Sequence, residues 1–187
     1  MEKIKITAIV GSLRRDSYNR QLATEAKRLV GEQAEFELLD YSDLPLMNQD
    51  IEYPAPDAVR RVREIVQSAD GVWFFTPEYN HFFPGVLKNL IDWLSRPISE
   101  SQPQVLDNKP AAVSGITVGM SGTGIAQDYL VSLISFLNMR VMNRPRLTIP
   151  NAIQQTDDSG RLALMASAPF LEKQAREFIN FIKSNRC

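Results

Sequence analysis

Short apolar runs alternate along this chain with stretches in which apolar residues recur every three or four positions. KIKITAIV (3–10) begins by alternating and ends continuously apolar, which predicts a strand buried on both faces. Between Asn19 and Val30, Leu22, Ala26, Leu29 and Val30 share one helical face. EFELL (35–39) predicts a short second strand. The Pro- and Asp-rich stretch after it holds enough Tyr, Leu and Met to predict a packed loop, and Val59, Val62 and Val66 mark the next helix. GVWFFTP (71–77) predicts a third strand stopped by Pro77. In PGVLKNLIDWL, Pro84 opens a helix buried through Leu87, Leu90, Ile91 and Leu94. PAAVSGI (110–116) predicts a fourth strand and runs into a glycine-rich loop, with an apolar helix at about 126–138. RLTI (146–149) predicts a fifth strand. Leu171, Ala175, Phe178, Ile179 and Ile182 predict a closing helix.

Strict strand–helix alternation predicts an α/β protein: a parallel sheet with helices on both faces. No internal repeat, low-complexity tract or linker interrupts it, so a single domain over 1–187 is expected. Five strands suit a three-layer, flavodoxin-like sandwich with strand order 2-1-3-4-5.

Composition narrows the function by exclusion. The net charge is −1 with both signs interspersed, so no basic face points to nucleic acid or to an anionic membrane. No apolar run approaches the length of a membrane span, and the N-terminus lacks a signal-peptide core. A cytoplasmic protein is expected. The one Cys, Cys187, excludes an internal disulfide or a thiolate cluster, and its place at a fraying end makes it a poor nucleophile. The one His, His81, excludes a two-histidine metal site. No metal site is expected.

In sheets of this order ligands bind beyond the carboxyl ends of the strands, where strand order reverses. Three unusual loops fall there. GSLRRDSYN leads into a helix N-terminus, where free N–H groups favour an anion. Ser12, Ser17 and Asn19 add neutral donors, and Arg14 offers a charge-assisted contact to phosphate. It is neither a Walker loop nor a G-x-G-x-x-G fingerprint. A turn capped by Ser17 or Asn19, with Arg14 and Arg15 solvated, explains the same residues. TPEYNHFFPG, stiffened by Pro77 and Pro84, can present backbone polar groups to a flat heterocycle. Phe82 and Phe83 suit packing on neighbouring helices or a subunit interface. The fourth-strand loop holds Gly115, Gly119, Gly122 and Gly124, and glycine permits close backbone approach.

Together, G-S-x-R with a downstream S-x-N, then P-E-Y-N followed by P-G-x-L-K-N-x-I-D-W, resemble the NADPH-dependent FMN reductases, the flavodoxin-like group that includes quinone, azo-dye and chromate reductases. The resemblance runs from the first strand to the last helix. It implies non-covalent FMN, with its phosphate on Ser12, Arg14, Ser17 and Asn19. The isoalloxazine would lie against Pro77, Glu78, Tyr79 and Asn80, with Thr117 and Gly119 approaching from the fourth-strand loop. It also implies NADPH or NADH as donor, ping-pong transfer of two electrons to a small-molecule acceptor (a quinone, azo compound, chromate or free flavin), and a homodimer or homotetramer.

No catalytic side chain is expected, because the flavin carries the chemistry. His81 reads as a loop residue near the mouth of the site, not a general base. The rivals are a flavodoxin-like FMN electron carrier without NAD(P)H turnover, an FMN-free binding module, and a hydrolase. Carriers tend to be acidic, which this chain is not, and no nucleophile elbow supports the hydrolase. Arg15 and Arg20 suit the 2′-phosphate of NADPH, or are solvated.

Overall fold

Residues 3–99 and 101–186 are described by a computed structural model. Cys187 lies outside the described residues. The apolar run at the start of the chain forms β1 (Ile4–Val10). It is followed by α1 (Tyr18–Val30), β2 (Ala34–Leu38), α2 (Asp57–Ser68), β3 (Gly71–Phe75), α3 (Gly85–Leu94), β4 (Pro110–Ile116) and α4 (Gly124–Phe136). Two short strands, β5 (Arg140–Val141) and β6 (Leu147–Ile149), precede α5 (Ala168–Asn185).

The sheet is parallel throughout, in the order β2-β1-β3-β4-β5. Its fifth position differs from the single strand expected at 146–149. β5 pairs with the start of β4, Pro110 opposite Arg140, and β6 pairs with its end, Ser114 opposite Leu147. Pro145 lies between the two pieces and has no N–H to give to a ladder, so one continuous strand cannot form there.

Each face of the sheet buries its own set of side chains, as the period of two requires. Ile4, Ile6, Ala8 and Val10 of β1, with Trp73 and Phe75 of β3, pack under α1 and α5 against Leu22, Ala26, Val30, Phe178 and Ile182. Ile9, Val72, Phe74 and Val113 face the other way, onto Val62 and Val66 of α2, Leu87, Leu90 and Ile91 of α3, and Leu130 and Ile134 of α4. Burying strands on both sides produces the near-continuous apolar runs seen in the sequence.

The long loop after β2 is packed, as its composition predicts. Tyr41 is buried and donates its hydroxyl to the Val10 carbonyl at 2.5 Å. Burial pushes that phenol well above its ordinary value, so it stays a neutral donor. The Pro45 carbonyl accepts from Asn89 Nδ2 and Trp93 Nε1, both at 2.9 Å. Glu52, itself buried, grips Arg96 at 2.7 Å. These contacts fix the loop beside α3 and against the end of β1. The three unusual loops depart from the carboxyl ends of β1, β3 and β4.

Candidate functional site

At those ends the three unusual loops meet around a cleft of about 200 Å³. Ser12, Arg14, Ser17, Tyr18 and Asn19 line it from the first loop, Pro77, Glu78 and Tyr79 from the second, and Ile116, Thr117 and Val118 from the third. A larger cavity of about 860 Å³ lies among Tyr53, Pro97, Ser99 and Gln102, but among the described residues no charged side chain lines it and it shares no residue with the cleft. Convergent polar groups, not size, identify the site.

The first loop leaves the α1 N-terminus open. Ser17 stands at the N-cap position with extended backbone, yet its hydroxyl makes no capping hydrogen bond, and no acidic residue occupies the first turn. The capped-turn reading therefore fails at Ser17. First-turn N–H groups and the positive end of the helix dipole remain for an anion. Ser12 and Ser17 are buried at its floor. Arg14 has no carboxylate within 4 Å among the described residues. Its guanidinium lies 5.7 Å from the centre of the Tyr18 ring, and Nη2 donates to the Asp16 carbonyl at 2.5 Å. These two contacts hold the charge at the cleft wall without neutralising it.

Asn19 lines the cleft with its side chain already engaged within the protein. Nδ2 donates to the Ile116 carbonyl at 2.9 Å, and Oδ1 accepts from the Ile116 N–H at 3.1 Å. Asn19 therefore clamps the start of α1 to the end of β4. Across the chain this joins residues 97 apart, and no local pattern reveals it.

The second loop is a two-residue hairpin. Tyr79 and Phe82 exchange backbone hydrogen bonds at 2.9 and 3.0 Å, with Asn80 and His81 at the left-handed tip, φ 52° and 60°. Positive φ at both central positions is the turn that suits the twist of a hairpin. At Tyr79 the backbone N–H and carbonyl serve the hairpin. Among the described residues the N–H groups of Glu78 and Asn80 make no hydrogen bond. The Glu78 side chain is buried, and its Oε2 accepts from the Ala126 N–H at 3.1 Å, in the first turn of α4. That anchors the loop through a helix N-terminus. Its Oε1 lies 3.4 Å from Nδ1 of His81, which is mostly exposed. His81 is thus a loop residue, as expected. Phe83 is buried, while Phe82 stacks on it at 4.5 Å and meets Tyr129 of α4 at 4.6 Å.

In the third loop Thr117 lines the cleft, with its N–H given to the Ile149 carbonyl at 3.1 Å. Gly119 does not line it. Its carbonyl accepts from Asn151, and an added Cβ there would meet nothing within 4 Å, so close approach does not require glycine at 119. Val118 takes that place. Close approach is required at Gly115, where a Cβ would stand 2.1 Å from Thr123 Oγ1 and 2.4 Å from the Thr76 carbonyl oxygen. Tyr18, Ile116 and Val118 are the lining residues that sequence reasoning missed. The aromatic four places after Arg14 was the one available signal.

The donor set fits a phosphate ester: two buried hydroxyls, one unneutralised guanidinium and an uncapped helix N-terminus. Beside it, exposed Tyr79 and Val118 offer apolar surface to a ring. Comparison with known proteins agrees with this chemistry. The family described as NADPH-dependent FMN reductase matches residues 4–154. A 2-hydroxy-1,4-benzoquinone reductase of Burkholderia sp is 36% identical over 183 residues, covering 98% of each chain. An NAD(P)H-dependent FMN reductase of Pseudomonas aeruginosa is 41% identical over 179 residues, 95% of this chain and 90% of that one. Among solved structures, the flavoenzyme NAD(P)H:(acceptor) oxidoreductase FerB of Paracoccus denitrificans superposes with a TM-score of 0.87 at 33% identity, covering 97% of this chain and 98% of that one. Agreement on this scale, in sequence and in fold, places the chain in the NADPH-dependent FMN reductase family, as an FMN-containing oxidoreductase that draws on NAD(P)H.

Proposed function

We propose that the protein transfers two electrons from NAD(P)H to a quinone, with donor and acceptor using one pocket in turn. The carrying observation is the uncapped N-terminus of α1 with Arg14 unneutralised beside it. Arg14, Ser12 and Ser17 hold the phosphate of FMN, helped by first-turn N–H groups. Asn19 belongs to the site as the clamp that sets the α1 N-terminus against β4. Pro77, Glu78, Tyr79 and Asn80 form the wall for the ring, with the N–H groups of Glu78 and Asn80 free for its polar edge. Thr117 and Val118 close the third side, and Gly119 supports the loop through Asn151.

FMN, when bound, supplies hydride acceptance and two-electron delivery. The chain supplies binding, orientation and shielding, and no side chain is assigned as an acid, base or nucleophile. A quinone is favoured as acceptor because the relative from Burkholderia is named for one. The whole chain, 1–187, forms one FMN-binding domain around the single sheet. It works as a homodimer or homotetramer, a reading supported by a row of exposed apolar side chains on α4 and beside the site. Dependence on NAD(P)H suits the cytoplasm, and no helix among the described residues is long and apolar enough to cross a membrane.

The test is an anaerobic titration of the FMN-loaded protein with NADPH or NADH, followed by a quinone. Bleaching of the visible flavin spectrum and its return on adding quinone supports the reading. Bound flavin that neither nucleotide bleaches points to an electron carrier. Failure to retain FMN at all removes the assignment of the cleft.

A further inference from the structure

The first loop has an apolar side that the FMN cleft does not use. Ser12 and Arg14 line the FMN cleft, and Leu13 between them lines a separate cleft of about 420 Å³. Leu44 and Leu46 of the loop after β2 form its second wall, and Gly85 and Val86 at the start of α3 form its third. Leu13, Leu46 and Val86 are all exposed. The polar side chains of the lining are already engaged within the protein. The Tyr41 hydroxyl donates to the Val10 carbonyl at 2.5 Å. Asn89 Oδ1 accepts from the Met47 N–H at 2.8 Å, and its Nδ2 donates to the Pro45 carbonyl at 2.9 Å. The Ser42 hydroxyl donates to Asp40 Oδ1 at 2.8 Å. Among the described residues no charged side chain lines this cleft.

A concave surface of this kind offers a ligand apolar contact and nothing to recognise a charge. It adjoins the FMN cleft at two places. One is the turn itself: the Arg14 N–H donates back to Ser12 Oγ at 3.4 Å, so one tight turn carries lining residues of both clefts. The other lies at the base of that turn, at Gly11. A Cβ there would stand 3.2 Å from Cδ of Pro77, in the wall of the FMN cleft, and 3.3 Å from Cδ2 of Leu87, the neighbour of Val86 on α3. Pro77 and α3 therefore both close on Gly11, which has no side chain to stand between them. The exposed apolar row of Met120, Ile125, Tyr129 and Phe136 shares no residue with this cleft, so an oligomer built on that row does not account for it.

We propose that this cleft takes the apolar chain of a chain-bearing quinone whose head is reduced at the FMN cleft. The proposal rests on the quinone-reductase reading above, and its test separates the two. The FMN-loaded protein, turning over with NAD(P)H, is given one benzoquinone head in two forms, bare and with a decyl chain. Each methylene that leaves water is worth about fourfold in binding, so two of them already exceed about 10-fold. The decyl form is expected to show a KM at least about 10-fold lower, with kcat within about twofold. Leu46→Ser and Val86→Ser each put a hydroxyl at an exposed position of the cleft. Each is expected to bring the two KM values within about threefold, while KM for the bare quinone and retention of FMN stay as in wild type. In calorimetry on the FMN-loaded protein, octan-1-ol is expected to bind wild type and to bind each variant about 10-fold more weakly. Equal KM for the two quinones in wild type overturns the proposal, as does an equal loss of both in the variants. So does a Leu46→Ser protein that sediments as a smaller species than wild type, which would mean that a second copy covers the cleft. If the bare quinone does not reoxidise the reduced flavin, the reductase reading fails. The octan-1-ol titration still decides the cleft on its own, and no binding of octan-1-ol overturns it.

Discussion

Two residues five positions apart, Arg14 in the first loop and Asn19 in the first turn of α1, look alike in sequence as donors to an anion but do different work. Arg14 is exposed, and its contacts keep its charge free at the cleft wall. Arg14→Ala should weaken FMN binding about 10- to 100-fold, the worth of a hydrogen bond to a charged group, while leaving the unfolding free energy of the FMN-free protein within about 0.5 kcal/mol. Fluorescence titration of FMN and urea unfolding measure the two quantities, and unchanged flavin affinity would remove Arg14 from the phosphate site. Asn19→Ala should do the reverse. It strips the buried Ile116 N–H and carbonyl of their side-chain partner, and urea unfolding of the FMN-free protein should show a loss of about 2–3 kcal/mol. An unchanged midpoint would mean that the clamp carries no stability. The kinds of residue in this loop were legible from the sequence. The division of labour was not, because it depends on a partner in β4 that only the folded sheet brings near.

At the scale of elements, long apolar runs decide what can be read. β1, β3 and β4 are buried on both faces, so their extent shows as continuous hydrophobicity, and their carboxyl ends locate the three site loops. β5 has two residues and no period to detect, so the divided fifth position is visible only in the structure. Glycine counting likewise picked out a loop without picking out the residue that matters. Gly115 lies where β4 passes the Thr76 backbone and the Thr123 side chain, both brought there by tertiary contact. Gly115→Ala should cost about 3 kcal/mol through overpacking, and should loosen FMN because Thr76 leads directly into Pro77 and Glu78. Adding Thr123→Ala removes the hydroxyl at 2.1 Å but not the carbonyl at 2.4 Å. Only partial recovery of the urea midpoint is therefore expected in the double variant. Full recovery would show that the side-chain contact alone excludes a Cβ.

At the scale of the whole molecule, exposed apolar groups gather in one row. Phe136 is 85% exposed and Met120 80%, and Ile125 and Tyr129 lie on the same side of α4 as Phe136 at helical spacing. Tyr129 also touches Phe82 of the hairpin, which carries the row to the edge of the FMN cleft. Water-facing apolar surface of this extent is costly to leave uncovered. Sedimentation velocity should find a dimer or larger species at about 10 μM, a concentration at which a standard-sized interface holds. Phe136→Glu places a charge in the row while disturbing nothing in the core, so it should yield a folded monomer with an unchanged far-UV spectrum. Because the row borders the cleft, that monomer should also retain FMN less well. A wild type that sediments as a monomer would remove the oligomer from the proposed function. A Phe136→Glu monomer with full FMN affinity would instead show that each chain builds its flavin site alone.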